Sequence, residues 1–212
     1  MILATILGVS LAIVLLNGLF VAAEFALIGA SRLTLERDAA TGDHLARRLL
    51  QIVSTTRRQD RYLATAQLGI TVASLGLGMY GEHSLAVYLT DNVPALAIVG
   101  GAAAATGIAL LVLTAAHIII GEMIPKALAL QNPIRVGRWA YWPMYASLAL
   151  FYPLVVSLNA VANFSLRLVG VRRQQNTSEQ IYTPEELQII VEESEKGGRL
   201  LGESGKLLQE LF

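Results

Sequence analysis

The chain contains no cysteine. Disulfides and thiolate metal sites are therefore excluded, while the redox compartment is left open. Charge is scarce as well: 15% of the 212 residues are Asp, Glu, Lys or Arg, and the formal net charge is zero. A soluble domain of this length carries more charge. A neutral chain also has no excess of cations to offer a phosphate backbone, which excludes nucleic acid as a partner. No second histidine is spaced to join His117 as a metal ligand. There is no nucleotide-binding motif and no constellation for covalent chemistry, so no enzymatic activity is expected. The first apolar stretch lacks a basic n-region and runs too long for a signal peptide, so it is expected to stay attached.

What the chain does have is apolar length. Hydrophobic residues make up 54% of it, in runs longer than the ~20 helical residues that cross a bilayer core. Three spans are predicted, about Ile2–Ala30, Tyr62–Leu89 and Pro94–Leu130. The segment between the first two carries Arg32, Arg37, Arg47, Arg48, Arg57, Arg58 and Arg61, whereas the turn Glu82–Asn92 has no Lys or Arg. Lys126 lies near the end of the third span, and Arg135 and Arg138 follow it. The positive-inside rule then puts the N-terminus outside and the Arg-rich segment in the cytoplasm. A fourth apolar stretch, Trp139–Val171, is long enough to span but is flanked by basic residues on both sides. A hairpin at the cytoplasmic interface keeps both basic flanks inside and is preferred here to a fourth span. Trp139, Tyr141, Trp142 and Tyr145 are its interfacial anchors.

The fold class expected is thus all-α and integral to the membrane: three spanning helices plus a cytoplasmic-side helical hairpin. Residues 1–171 form the membrane domain and residues 172–212 a cytoplasmic helical linker. In the linker, Thr183-Pro184-Glu185-Glu186 reads as a helix start. A later helix, about Glu203–Phe212, has an unpaired face of Leu207, Leu208 and Leu211, the mark of a downstream domain or partner.

Polar residues inside the spans fall on faces. Ser10, Asn17, Glu24 and Ser31 recur every seven residues on the first helix, beside a small-residue ridge of Gly18, Ala22, Ala26 and Ala30. The ridge predicts a close helix neighbour. On the second helix, Gln67, Thr71, Ser74 and Gly78 share a face. On the third, Thr114, His117, Gly121 and Glu122 fall within two turns, and Pro125 follows. Proline has no N–H to give the carbonyl four residues earlier, which is that of Gly121. A freed carbonyl therefore lies beside the Glu122 carboxylate, and both are hard oxygen donors. An intramembrane acid usually marks an ion or proton path. The ordinary alternatives are a proline kink with Glu122 paired to Lys126, hydroxyls bonded to their own helix, and a Glu24 shallow enough to reach water. A set rich in oxygen suits Mg²⁺, Ca²⁺ or Mn²⁺ over Zn²⁺ or Cu²⁺; the spacing does not choose between Mg²⁺ and Na⁺.

Three motifs carry a resemblance: Asn17-Gly-Leu-Phe-Val-Ala-Ala-Glu24-Phe-Ala, Gln67-Leu-Gly-Ile-Thr71-Val-Ala-Ser74-Leu-Gly-Leu-Gly78 and Gly121-Glu122-Met-Ile-Pro125-Lys126. In this order the chain resembles the CorC/cyclin-M (CNNM) magnesium transporters along essentially its whole length. The resemblance implies three spanning helices with a cytoplasmic-side helical belt, assembled as a homodimer in the plasma membrane. It implies Mg²⁺ as the transported ion, with export driven by Na⁺ entry. The family continues into a pair of ATP-binding CBS domains, and this chain resembles the membrane domain without them. Glu122 and the Gly121 carbonyl would form the core of the ion site. Ser74, Thr71, Asn17, Glu24 and Ser31 are its further candidate ligands, with Pro125 and Lys126 shaping the kink. Many relatives carry serines just before the first-helix glutamate; here the stretch is Val21-Ala22-Ala23, so no hydroxyl ligand comes from that turn. A Mg²⁺ sensor that regulates another transporter, or a divalent-cation channel, are the alternative functions.

Overall fold

The computed structural model describes residues 1–94 and 101–168, and the regular structure among them is helical. Helix α1 (Ile2–Gly29) is the first membrane helix, ending one residue before the expected Ala30. The Arg-rich segment forms two short helices, α2 (Arg32–Ala40) and α3 (His44–Val53). Each is started by a side-chain cap: Ser31 Oγ accepts from the Thr34 N–H, and Asp43 Oδ1 accepts from Leu45 and Ala46 at 2.9 and 3.0 Å. The second membrane helix is α4 (Thr56–Gly76), a widened π turn (Leu77–Glu82) and α5 (His83–Asn92). The third is α6 (Ala102–Ala116), a second π turn (His117–Met123) and α7 (Ile124–Gln131). Helix α8 (Pro133–Leu168) closes the described part. Residues 95–100 of the third predicted span and the linker helices expected after Thr183 and Glu203 lie outside the described residues.

Among the described residues, four helical runs are long and apolar enough to cross a membrane: Ile2–Gly29, Thr56–Asn92, Ala102–Gln131 and Pro133–Leu168. This corrects the sequence reading in two places. The second run begins at Thr56, six residues before the expected Tyr62. The fourth stretch is one continuous helix of 36 residues with no reversal, where a hairpin was expected. The reason is local. Pro143 and Pro153 each remove one backbone bond, which bends a helix without turning the chain back. Between Trp139 and Leu168 there is no glycine to supply a left-handed turn position, and Ser147, Ser157 and Ser165 each bond a carbonyl of the same helix.

Helix α1 is the central element. Half of its apolar window is buried, against 11% for α8. Near its N-terminus Ile6 packs with Leu85, Ala86, Ala109 and Leu113 of α5 and α6. Near its C-terminus Phe20, Ala23 and Leu27 pack with Tyr62 and Ala66 of α4 and Ala140 and Met144 of α8. Leu35, Ala46, Leu49 and Tyr141 hold the α2–α3 pair against α8. Arg138 reinforces that contact by pairing with both Asp38 and Asp43. The Ala46 N–H, with Arg138 and His44 adding to it, holds the Asp43 carboxyl below the usual carboxylate range.

The small-residue ridge packs within the subunit. A Cβ at Gly18 would lie 2.9 Å from the Pro125 ring, so glycine is needed where α1 crosses α7. Ala22 and Ala26 are buried, Ala26 beside Gly137 of α8. Ala26→Leu is therefore expected to lower stability by about 1–3 kcal/mol through overpacking. Thermal unfolding in detergent checks this; an unchanged midpoint would mean that the ridge faces lipid.

Candidate functional site

The third helix loses its regular pattern where the sequence places Pro125. An α-helical turn would drive the proline ring into the Gly121 carbonyl. The widened turn over His117–Met123 avoids this by inserting a residue, and the Ile124 N–H bonds five residues back to Ile119 O. Gly121 O is left without a donor at position 125. It is taken up across the helix interface: Asn17 Nδ2 of α1 donates to it at 2.9 Å. The same amide accepts from the Ser74 hydroxyl of α4, Asn17 Oδ1 to Ser74 Oγ at 3.5 Å. Asn17 is 2% exposed, Gly121 is buried and Ser74 half-buried. One side chain near the middle of α1 thus ties together the first three of the membrane-length helices.

Helix α1 and the second membrane helix, through α4 and its π turn, meet in a register of seven. Ser10 lies against Gly81, Asn17 against Ser74, and Glu24 against Gln67, whose Nε2 donates to Glu24 Oε1 at 3.4 Å. Successive rungs are seven residues apart on both helices, or about 10 Å along the axis. The antiparallel pair therefore carries a polar ladder. Ser10 Oγ, 2% exposed, has no hydrogen-bond partner among the described residues. The heptad on α1 is plain in the sequence, whereas steps of three and four along α4 give the face Gln67, Thr71, Ser74 and Gly78. The matching heptad Gln67, Ser74, Gly81 was present in the sequence and would have given the register.

Other predicted site residues stand apart from the Asn17 amide. Glu122 follows Gly121 directly, but its residue is exposed on the surface of the single chain. Thr71 is exposed and donates to Gln67 O of its own helix at 2.8 Å. Ser31 caps α2, fourteen residues or about 20 Å along from Asn17. The Glu122–Lys126 ion pair is not formed among the described residues; the Lys126 ammonium instead sits 4.6 Å from the Phe25 ring centroid. His117 is half-buried and Thr114 exposed.

Chemically the centre is a set of neutral oxygens: a backbone carbonyl, an amide oxygen and a hydroxyl, with the half-buried Glu24 carboxylate one rung away. Among the described residues no three His, Asp or Glu side chains converge to hold a metal ion. A cation at such a centre would keep part of its water shell, which suits a hard ion that sheds water reluctantly.

Apolar helices of spanning length, joined at mid-helix by a buried amide on a proline-widened turn, define a polytopic helical membrane domain with a polar centre. The chain belongs to the cyclin M transmembrane N-terminal domain (CNNM) family, which matches over residues 8–204. It is 28% identical over 202 residues to the UPF0053 protein YugS of Bacillus subtilis (strain 168), covering 93% of this chain and 46% of that one. It is 35% identical over 181 residues to the uncharacterized protein Rv1841c of Mycobacterium tuberculosis (strain ATCC 25618 / H37Rv), covering 85% and 51%. To the UPF0053 protein sll0260 of Synechocystis sp. it is 27% identical over 205 residues, covering 94% and 44%. The chain spans about half the length of these curated relatives.

Proposed function

We propose that this domain carries Mg²⁺ across the plasma membrane, as an exporter coupled to Na⁺ entry, and that it does no enzymatic chemistry. The observation that carries this reading is the Gly121 carbonyl, freed by Pro125 and held by Asn17 beside the Ser74 hydroxyl. Hard oxygens assembled from three helices at membrane depth are what a transported Mg²⁺ can use, with waters completing its six ligands. Membership of the cyclin M transmembrane N-terminal domain family supports the same reading.

Glu122 is given a role by its exposure. A carboxylate facing hydrocarbon is costly, so such groups face a bundle interior or a water-filled path. We place it toward a second subunit or an aqueous vestibule that opens on the site, which favours a homodimer. Glu24 and Gln67, one rung nearer the Arg-rich end, would be the next polar step on the ion's route.

Flux in liposomes with and without an opposing Na⁺ gradient tests the function. Gradient-coupled Mg²⁺ movement supports the exchanger. Gradient-independent flux would make the domain a channel, and no flux from a correctly folded protein would make it a sensor.

Orientation has its own test. Single cysteines replacing Ser31, Asp91, Gln131 and Gln174 are labelled from outside intact cells. Only the Asp91 position is expected to react, because the Arg-rich helices lie at the opposite end. Reaction at Ser31 would reverse the topology. External labelling at Gln174 would show that α8 crosses the membrane as a fourth span.

A further inference from the structure

A cavity of about 430 Å³ opens where α3, α4 and α8 meet, at the Arg-rich end of the domain and away from Asn17. Three guanidiniums line it, those of Arg48, Arg58 and Arg61, and no carboxylate is among its described lining residues. Each is held by a neutral neighbour. Arg48 lies 5.7 Å from the Tyr141 ring centroid and 5.5 Å from that of Trp142, and its Nη1 donates to Tyr141 OH at 3.5 Å. Arg61 lies 5.5 Å from the Tyr152 ring centroid. Arg58 Nη1 donates to Gln51 Oε1 at 3.5 Å. A guanidinium has five N–H donors, so stacking and one bond leave most of them for an anion. The rest of the wall is apolar, with Ile52, Leu148 and Ala149 beside the tyrosine rings.

We propose that this cavity binds the phosphate headgroup of an anionic phospholipid of the leaflet on the Arg-rich side. Guanidiniums pair with phosphate oxygens through two parallel bonds, and basic pockets between membrane helices at the cytoplasmic side suit such headgroups. The apolar wall decides for a lipid over a soluble phosphate. A free anion has no use for Leu148 and Ala149, whereas the first carbons of an acyl chain bury against them. The half-exposed Tyr145 and Tyr152 rings belong at the depth where headgroup meets hydrocarbon. The bound lipid would link α3, α4 and α8 around the base of the second membrane helix. This proposal is independent of the ion carried.

The purified full chain, in detergent, is given equal amounts of phosphatidylglycerol and phosphatidylcholine with identical acyl chains. Native mass spectrometry then counts the lipid retained. Phosphatidylglycerol is expected to be retained in preference and to raise the unfolding temperature. Combining Arg48→Gln, Arg58→Gln and Arg61→Gln is expected to cut that preference on the order of tenfold or more, given what charge-assisted hydrogen bonds contribute. The control combines Arg32→Gln, Arg37→Gln and Arg57→Gln, which removes the same charge from outside the cavity and is expected to retain the lipid. Ala149→Trp fills the apolar wall with all three guanidiniums intact, and is also expected to expel it. Equal retention of both lipids, equal loss in the two triple variants, or full lipid binding in Ala149→Trp would each overturn the proposal. Displacement by millimolar inorganic phosphate would overturn it too, by showing a soluble-anion site.

Discussion

Glu122→Gln is expected to abolish Mg²⁺ flux in liposomes while the protein still folds and unfolds as the wild type does. The substitution keeps the size of the side chain and an acceptor oxygen. What it removes is the negative charge, and a divalent cation leaving water needs that charge more than it needs any one oxygen. Stability should hardly change, because Glu122 is exposed and makes no ion pair among the described residues. Loss of transport with retained folding would assign Glu122 to the ion path even though it does not touch Asn17 in the single chain. Normal flux would move the path to Glu24 and Asn17. Ser74→Ala should weaken transport less, since a coordinated water can replace a neutral hydroxyl.

The second large effect concerns the Gly121 carbonyl. Asn17→Ala is expected to destabilise the protein by about 1–3 kcal/mol, the usual penalty for a buried acceptor left without a donor. It should also impair Mg²⁺ transport, since it unties α1 from both other membrane helices. Pro125→Ala is expected to act differently. It restores an N–H at position 125 that competes with Asn17 for the same carbonyl, so folding is kept while transport falls. The two changes should therefore be coupled. In the Pro125→Ala background, Asn17→Ala is expected to cost less than it does alone, by about 0.5–3 kcal/mol, the range for groups that share a partner. Unfolding of the four proteins in one detergent measures this cycle. Strict additivity would mean that the carbonyl is not shared, and normal transport in Pro125→Ala would remove it from the ion site.

The partial charges and lengths along the chain made most of the fold legible. The first membrane helix ends within one residue of its expected bound, because a bilayer-length apolar run admits no other regular structure in which every backbone group is satisfied. The consequence of Pro125 was readable for the same reason: a missing N–H is a covalent fact about one residue. The small-residue ridge predicted a close neighbour, and Gly18 meets Pro125. Less legible were features set by competition between segments. A basic flank on either side suggested a hairpin for Trp139–Val171, yet proline bends a helix without reversing it, and Ala140, Tyr141 and Met144 near its start are held in the cores formed with α1, α3 and α4.

The sequence by itself determined that this is a helical membrane domain, where its polar residues fall along each helix, and that the carbonyl of Gly121 lacks its usual donor. Only the tertiary structure decided who supplies the donor. Asn17 reaches Gly121 because Gly18 lets α1 approach α7, and Ser74 meets Asn17 because two heptads run antiparallel in one register. It also separated Ser31 and Thr71 from that centre by giving each hydroxyl a nearer backbone partner. A sequence fixes which groups are unsatisfied; which of several possible partners satisfies them depends on how closely whole helices can pack, a sum over many contacts that no single motif records.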